Sequence, residues 1–492
     1  MNIYINGIKY KTENNFKTVL DIFNHLNISF SHPCGGKKNC GKCKITIKNP
    51  QPPQKEEFLF LTKKEIDAKI RLSCCTIPFD NMDIIFDNKN FSHFVINENA
   101  VHTKNSYIAI DIGTTNIEAE LFNEKGESIS YILQKNSQIT AGADVISRIE
   151  YDIKYPGVLK DFIINQLDRI IGKLKSIVPE IKDIVITGNT VMLYILTDKD
   201  TSVFSNAPYE NIEMFGNYYK LPFKNYNNKI YIPKCMDAFV GADITCGIIS
   251  SENTNSPSLF ADLGTNGEIV LYKNGKYYNC STAAGPCFEG AVLSCGSPAV
   301  DGAVSKVWFD GRNVKYQIIN NKSTINSICA SGIIDFLTVL LRTGQIFKDG
   351  KINENSIYAK ENKIYLSGTD IYISREDIRN IQLAKSAVYT GIRCLLKESG
   401  TDINEIKNLY LLGNFSKFLN IKNAFYIGLL PEIETEKIHL LGNGALKGAK
   451  KILLNKISKN NTDEEKISKN SINIDLNSLN YFQENFINNI NF

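Results

Sequence analysis

Two sets of residues in this chain have types and spacings that could do chemistry. The first is a cysteine set. Cys34, Cys40 and Cys43 share one Gly- and Lys-rich loop at C-x5-C-x2-C spacing, and Cys74 and Cys75 follow about thirty residues later. Three thiolates on a loop with a distant fourth suit a [2Fe–2S] cluster, which is held by four thiolates. Glycines on such a loop let backbone amides approach the sulfurs and tune the potential. A zinc site is the alternative, although zinc more often uses paired C-x2-C knuckles. The same loop contains a near-miss phosphate-binding loop, Gly36 to Cys43. A cysteine stands there at the Ser/Thr position and no helical pattern follows at once, which excludes it.

The second set is a repeated hairpin. Asp111-Ile112-Gly113-Thr114-Thr115-Asn116 and Asp262-Leu263-Gly264-Thr265-Asn266-Gly267-Glu268 stand about 150 residues apart. Each follows a short apolar run, so each reads as strand, tight turn, strand, with the Asp closing the first strand. A turn of this kind aims backbone N–H groups at phosphate oxygens, and Gly113, Thr114, Thr115, Gly264, Thr265 and Asn266 supply that cradle. Asp111 and Asp262 suit Mg²⁺, which keeps most of its waters and takes one or two carboxylates plus substrate phosphates. Two copies imply two lobes, each giving one hairpin to a nucleotide such as ATP in the cleft between them. Asp243, in Ala238 to Gly247, is placed either to orient a water on the terminal phosphate or to serve as an ordinary helix-start residue. Gly332 opens a helix with Ser331, an arrangement able to hold an anion or a nucleotide.

The elements that must position these groups follow from the periodicity. Met1 to Tyr10 is a hairpin about Asn6-Gly7, and Thr18 to Leu26 has helical spacing. Lys63 to Lys69 reads as a helix, and Met82 to Phe86 as a strand closing a small unit. Asp87 to Lys104 is polar, Asn-rich and aperiodic, a linker. Gly142 to Ile149 opens a helix with Asp144 in its first turn, and Ile184 to Thr190 is a buried strand running into a Gly turn. Thr282 to Ala291 is a small-residue turn feeding a short helix, and Asp377 to Lys397 is a well-patterned core helix. Leu409 to Phe415 is another buried strand ending in Gly413. Gly442 to Gly448 looks like a dinucleotide motif with the wrong spacing, leading only into a helix. Lys456 to Ser471 reads as polar and mobile, with a last strand and helix docking back after it. The expected division is 1–88, a linker at 89–104, a first lobe at 105–255 and a second at 256–492.

The composition, 43% hydrophobic and 22% charged over 492 residues, is that of a globular protein of several domains. No run of 18 apolar residues is present, which argues against a transmembrane helix. The N-terminus has no apolar signal core, so a cytoplasmic location is expected. The net charge of +4 is too small to imply nucleic acid. Its placement is uneven: residues 1–90 hold 14 Lys and Arg against 9 Asp and Glu, and the remainder 42 against 43. The excess suits an acidic partner surface or a solvated face. The cysteines outside the loop set read as buried free thiols rather than disulfides.

The paired hairpins resemble the ATPase superfamily of actin, hexokinase, sugar kinases and heat-shock chaperones, in which the loop after Leu412-Gly413 would contact the adenosine. The cysteine spacing is similar to that of adrenodoxin-like ferredoxins. Together they resemble the reductive activators of corrinoid proteins, over nearly the whole chain. The resemblance rests on Cys34, Cys40 and Cys43 with Arg71-Leu72-Ser73-Cys74, both Asp hairpins, Gly142 to Ile149, Gly188-Asn189-Thr190, Ala284 to Gly290 and the Phe482 to Phe492 helix. It implies an α+β ferredoxin-like (β-grasp) domain followed by a two-lobed α/β actin-like ATPase body. It makes Cys74 the fourth cluster ligand, with Cys75 its neighbour. It also implies an ATP-hydrolysing activase that uses ATP and Mg²⁺ to drive an electron from the [2Fe–2S] cluster onto Co(II) of a corrinoid protein, giving Co(I). An upstream electron donor is required, and a homodimer is compatible with the sequence. Three features depart from the pattern: a short linker, Cys75 after the ligand, and Leu412-Gly413-Asn414-Phe415-Ser416 in place of a smaller-residue run. The competing readings are a redox-sensing chaperone, a small-molecule kinase, and an electron carrier on an inert scaffold.

Overall fold

The structure, a computed structural model, describes residues 1–492 except 14–15, 27, 29, 31–35, 39–40, 87–91, 98–104, 143, 208, 210–211, 252–255, 291, 321–324, 326 and 357. Its first unit is a β-grasp. Strands β1 (Asn2–Ile5) and β2 (Ile8–Lys11) pair about Asn6-Gly7, and helix α1 (Val19–His25) follows. After β3 (Lys44–Ile47), the short α2 (Lys63–Asp67) leads to β4 (Ile70–Leu72) and β5 (Met82–Ile85). The sheet order is β2-β1-β5-β3-β4, with β1 and β5 parallel at its centre. Alternation on the strands sends Ile3, Ile5, Ile45, Ile47, Met82 and Ile84 onto Val19, Ile22 and Phe23 of α1.

Two larger sheets form the body. The first comprises β6 (Ser92–Ile96), β7 (Ser106–Ile112), β8 (Asn116–Asn123), β9 (Ser128–Lys135), β10 (Ile181–Gly188), β11 (Asn217–Tyr219) and β12 (Ile230–Ile232), in the order β11-β12-β10-β7-β8-β9-β6. Helices α3 (Val145–Lys154), α4 (Val158–Lys175), α5 (Thr190–Leu196) and α6 (Ala242–Ser250) accompany it. The second sheet is built from β13 (Ser258–Leu263), β14 (Gly267–Lys273) and β15 (Lys276–Thr282). Two three-stranded sheets flank it, one of β16 (Ala303–Phe309), β17 (Val314–Ile318) and β18 (Ser327–Ile328), the other of β19 (Ala359–Lys360), β20 (Lys363–Tyr365) and β21 (Tyr372–Ser374). Helices α7 (Ala330–Arg342) and α8 (Arg375–Glu398) precede β22 (Asn408–Leu412), α9 (Ile421–Tyr426) and β23 (Ile438–Gly442). Helices α10 (Gly444–Ile457) and α11 (Glu464–Lys469), strand β24 (Ser471–Asn473) and α12 (Phe482–Asn488) complete the chain.

The second sheet runs β23-β22-β13-β14-β15-β24. Each lobe thus repeats one plan: a parallel trio (β12-β10-β7, β23-β22-β13) whose last strand turns into an antiparallel meander (β7-β8-β9, β13-β14-β15). This is the two-lobed actin-like body. Helices α6 and α10 meet between the lobes so closely that a Cβ on Gly448 would fall 1.8 Å from the Cys246 carbonyl oxygen. Only glycine permits that approach.

Three local expectations are corrected. The polar stretch 89–104, expected to be a linker throughout, contains β6, an edge strand antiparallel to β9. Phe94 packs against the lobe core under the Lys173 ammonium, 3.7 Å from the ring centroid, which gives this short segment an apolar anchor. Asp144 is the N-cap of α3 rather than a first-turn residue, accepting the Ser147 N–H at 2.8 Å. Lys456 to Ser471, expected to be mobile, holds α11, whose buried Glu464 accepts from the Tyr231 hydroxyl at 2.5 Å. The final strand and helix do dock back, β24 on β15 and α12 on α8. Among the described residues, no helix is long and apolar enough to cross a membrane.

Candidate active site

A cavity of about 600 Å³ lies between the lobes, and both Asp hairpins line it. Asp111 is the penultimate residue of β7, directly opposite Glu118 on β8; Asp262 occupies the same place on β13, opposite Glu268 on β14. The two turns that follow, at Gly113 to Thr115 and Gly264 to Asn266, face each other with the Thr114 and Thr265 hydroxyls 3.2 Å apart. Asn136 pins the first turn by donating to the Gly113 carbonyl at 2.8 Å. Asp243, one residue into α6, also lines the cavity, as does Gly413 after β22. A Cβ on Gly413 would lie 2.6 Å from Asp262 Oδ1, so the β22 turn closes onto the hairpin only as glycine.

Of the expected residues, Asp111, Asp243, Asp262, Gly113, Thr114, Thr115, Gly264, Thr265, Asn266 and Gly413 are brought together around this one cavity. Gly332 is not among the lining residues. It sits where a Cβ would meet the Val304 carbonyl at 2.5 Å, so it packs α7 against β16, and Cys329, Ala330 and Ser331 line the cavity instead. The sequence reading missed Glu118, Lys135, Asn189, Glu268, Glu289 and Asn443. Asn443 caps α10 through its side-chain oxygen (Leu446 N–H, 2.7 Å) and donates its amide to Asp111 at 2.9 Å. The usable signal was the α10 N-terminus, hidden inside a segment dismissed as a failed dinucleotide motif.

The electrostatics are those of carboxylates short of cations. Burial, then Glu118 and Asp243, push Asp111 well above the usual carboxylate range, with Asn443 opposing. Burial first, then the neighbouring acids, push Asp262 up to about 7, and burial pushes Asp243 up to about 6. Glu268 is raised as well, by burial and then by Asp243 and Asp262. An all-oxygen set of this kind fits a hard divalent cation. The N-termini of α7 and α10 add backbone dipoles for phosphate oxygens. Among the aromatic lining residues, Phe288 and Phe415 stack with centroids 5.4 Å apart.

The cysteine site lies in the β-grasp unit. Cys34 and Cys40 fall outside the described residues. The other two expected ligands, Cys43 and Cys74, are buried with sulfurs 3.2 Å apart, and Cys75 Sγ is 3.8 Å from Cys74 Sγ. Backbone bonds fix the pair: Ser73 N–H donates to the Cys43 carbonyl at 2.9 Å, and Glu57 accepts the Leu72 N–H at 2.6 Å. The Cys43 thiol, then burial, push Cys74 far above the ordinary thiol range. Two touching buried sulfurs fit thiolate ligation to an iron–sulfur cluster, which would compensate the charge that burial opposes. The Ser73 hydroxyl is buried without a partner beside them, a donor available to a cluster sulfur.

The domain order matches known families along the chain. Residues 3–79 match the 2Fe-2S iron–sulfur cluster binding domain, 107–256 the RACo middle region, and 256–492 the C-terminal domain of RACo, the ASKHA domain. A solved "Reductive activator for corrinoid,iron-sulfur protein" covers 99% of this chain and 97% of its own at 25% identity, with a TM-score of 0.70. The chain belongs to the RACo family, the reductive activators of corrinoid proteins. This RACo chain is also 33% identical over 383 residues to the corrinoid activation enzyme RamQ of Eubacterium limosum, matching 71% of this chain and 64% of that one. It thus spans less than two thirds of that curated relative's length. It is 22% identical over 397 residues to the [Co(II) methylated amine-specific corrinoid protein] reductase of Methanosarcina barkeri, covering 70% of that protein.

Proposed function

We propose that this protein is an ATP-dependent reductive activator that returns a corrinoid protein from Co(II) to Co(I) by one-electron transfer. The observation that carries the reading is the joining, in one chain, of a [2Fe–2S]-type domain to a cleft flanked by two facing Asp hairpins. The relatives' names, corrinoid activation enzyme and Co(II) corrinoid protein reductase, support the acceptor. In this reading the chain works in the cytoplasm and divides at 1–88, 89–104, 105–255 and 256–492, with an upstream donor of electrons.

Cys34, Cys40, Cys43 and Cys74 would hold the [2Fe–2S] cluster, which would supply one electron at low potential, roughly −400 mV for a plant-type cluster. Asp111 and Asp262 would hold Mg²⁺, which would offset the charge of the triphosphate. Thr114, Thr115, Thr265 and Asn266 donate to phosphate oxygens from the two turns, and Gly413 lets the β22 turn close beside them. Asp243, raised to about 6, is tuned to accept a proton from the attacking water near neutral pH. Co(II)-to-Co(I) reduction needs a potential below the cluster's, so ATP must act by favouring a bound state in which the acceptor is easier to reduce.

Linkage makes this testable. If nucleotide state alters affinity for the corrinoid protein, the corrinoid protein alters nucleotide affinity by the same factor. Phosphate release should rise on adding a Co(II) corrinoid protein and rise less with its Co(I) form. Equal rates with and without the partner would discard the activator reading in favour of a kinase or chaperone.

A further inference from the structure

One carboxylate in the cleft is already bonded to both hairpin turns. Glu289 ends the turn Pro286–Glu289, and its oxygens hold the donors that the proposed function assigns to phosphate. Thr115 donates its hydroxyl to one oxygen, and the Thr265 backbone N–H donates to the other at 3.1 Å. One carboxylate thereby bridges both hairpin turns. The buried Arg148 guanidinium supplies the counter-charge and donates to the Thr114 carbonyl of the same turn. A phosphate oxygen and Glu289 cannot occupy those donors together, because each N–H and O–H carries one hydrogen.

The chain beyond Glu289 leads to the cluster unit. Gly290, at φ 75°, turns the backbone so tightly that a Cβ would fall 2.5 Å from the Ser297 nitrogen. Between those two residues stand Leu293 and Ser294, whose carbonyls accept the Lys42 ammonium at 2.9 and 3.4 Å. Lys42 is the residue before the cluster ligand Cys43. Glu289 and Ser297 both line the cavity between the lobes, so the two ends of this segment border it while its middle accepts Lys42.

We infer that Glu289 is an anionic latch: phosphate binding displaces its carboxylate from Thr115 and Thr265, shifts the segment after it, and releases Lys42 from the Leu293 and Ser294 carbonyls. The inference rests on the ATP reading of the cavity and adds to it the residue that carries nucleotide state to the cluster domain. Glu289 is a positioning residue here, since it acts through the hairpin donors and the segment behind it.

The test uses the full-length, cluster-loaded protein without oxygen. A non-hydrolysable Mg–ATP analogue and adenosine are titrated into wild type and Glu289→Gln, and Lys42 acetylation is followed by mass spectrometry. Glu289→Gln should bind the analogue about tenfold tighter, the worth of one charge-assisted hydrogen bond removed from the competitor. Adenosine, which has no phosphate, should bind both proteins equally. In wild type, Lys42 acetylation should speed up severalfold when the analogue saturates; in Glu289→Gln it should be fast already. Equal or weaker analogue binding by Glu289→Gln overturns the latch, as does wild-type Lys42 acetylation that ignores the analogue, a readout needing no variant. Wild type that binds adenosine and analogue not at all overturns the ATP reading and the latch with it.

Discussion

Asp111→Asn separates a role at the phosphates from a role in the fold. Asp111 is half-buried, accepts a hydrogen bond from Asn443 at 2.9 Å, and its carboxyl is pushed well above the usual range by desolvation in the cleft and then by Glu118 and Asp243. An amide is nearly isosteric, keeps an oxygen for Asn443, and cannot ionise beside two other acids. Exchanging an unfavourably placed acid for a neutral group should leave stability unchanged or raise it by about 1 kcal/mol. At the phosphates the same exchange removes one preorganised charge, worth on the order of 3 kcal/mol or about a hundredfold in rate. Tm by scanning fluorimetry, with and without Mg–ATP, and phosphate release would both be recorded. The expected pattern is an unchanged or higher basal Tm, a smaller Mg–ATP shift, and a turnover about a hundredfold lower. A basal Tm that falls together with the rate would make Asp111 a packing residue. Near-normal turnover would refute metal holding by this hairpin.

Two further outcomes follow from the same geometry. Cys74→Ser should lose the cluster's EPR signal and visible absorbance while Cys75→Ser keeps both, because Cys74 Sγ touches Cys43 Sγ; loss in Cys75→Ser alone would reverse the assignment. The pH response should also reveal the acid cluster. Asp243 and Asp262, at about 6 and about 7, are raised in the folded protein, so their stabilising contribution is present at low pH and lost as pH rises through those values. Basal Tm should therefore drop from about pH 4, the ordinary carboxylate pKa, to about pH 7, and the Tm gain from Mg–ATP, which requires the ionised acids, should be larger at the higher pH. A gain that shrinks with rising pH would contradict the metal assignment.

The fold was largely legible because local rules and global packing agree in it. Asn6-Gly7 forces a hairpin, and the apolar alternation beside it has one buried face. Asp-x-Gly-Thr after an apolar run marked both hairpin turns, and the two fell on equivalent strands of the two sheets. What the sequence hid was distance. Glu289 meets Thr115 across 174 residues, and Asn443 meets Asp111 across 332, so no local pattern announces either pair. Glu118 and Glu268 lie closer in sequence, each opposite its Asp in an antiparallel register that the turn motif alone does not specify. Gly332 was misjudged because a glycine at a helix start serves close packing as readily as ligand approach. Strand β6 is obscured because its polar flanks outweigh the three β-forming residues Phe94 to Ile96.

The most direct test of the account mixes the reduced, cluster-loaded protein with a Co(II) corrinoid protein under anaerobic conditions and follows Co(I) by its absorbance, with Mg–ATP, with Mg–ADP and without nucleotide. The account predicts extensive conversion to Co(I) with Mg–ATP and cobalt that stays mostly Co(II) in the other two arms. Equal conversion in all three would contradict it, because the electron transfer would then need nothing from the nucleotide cleft.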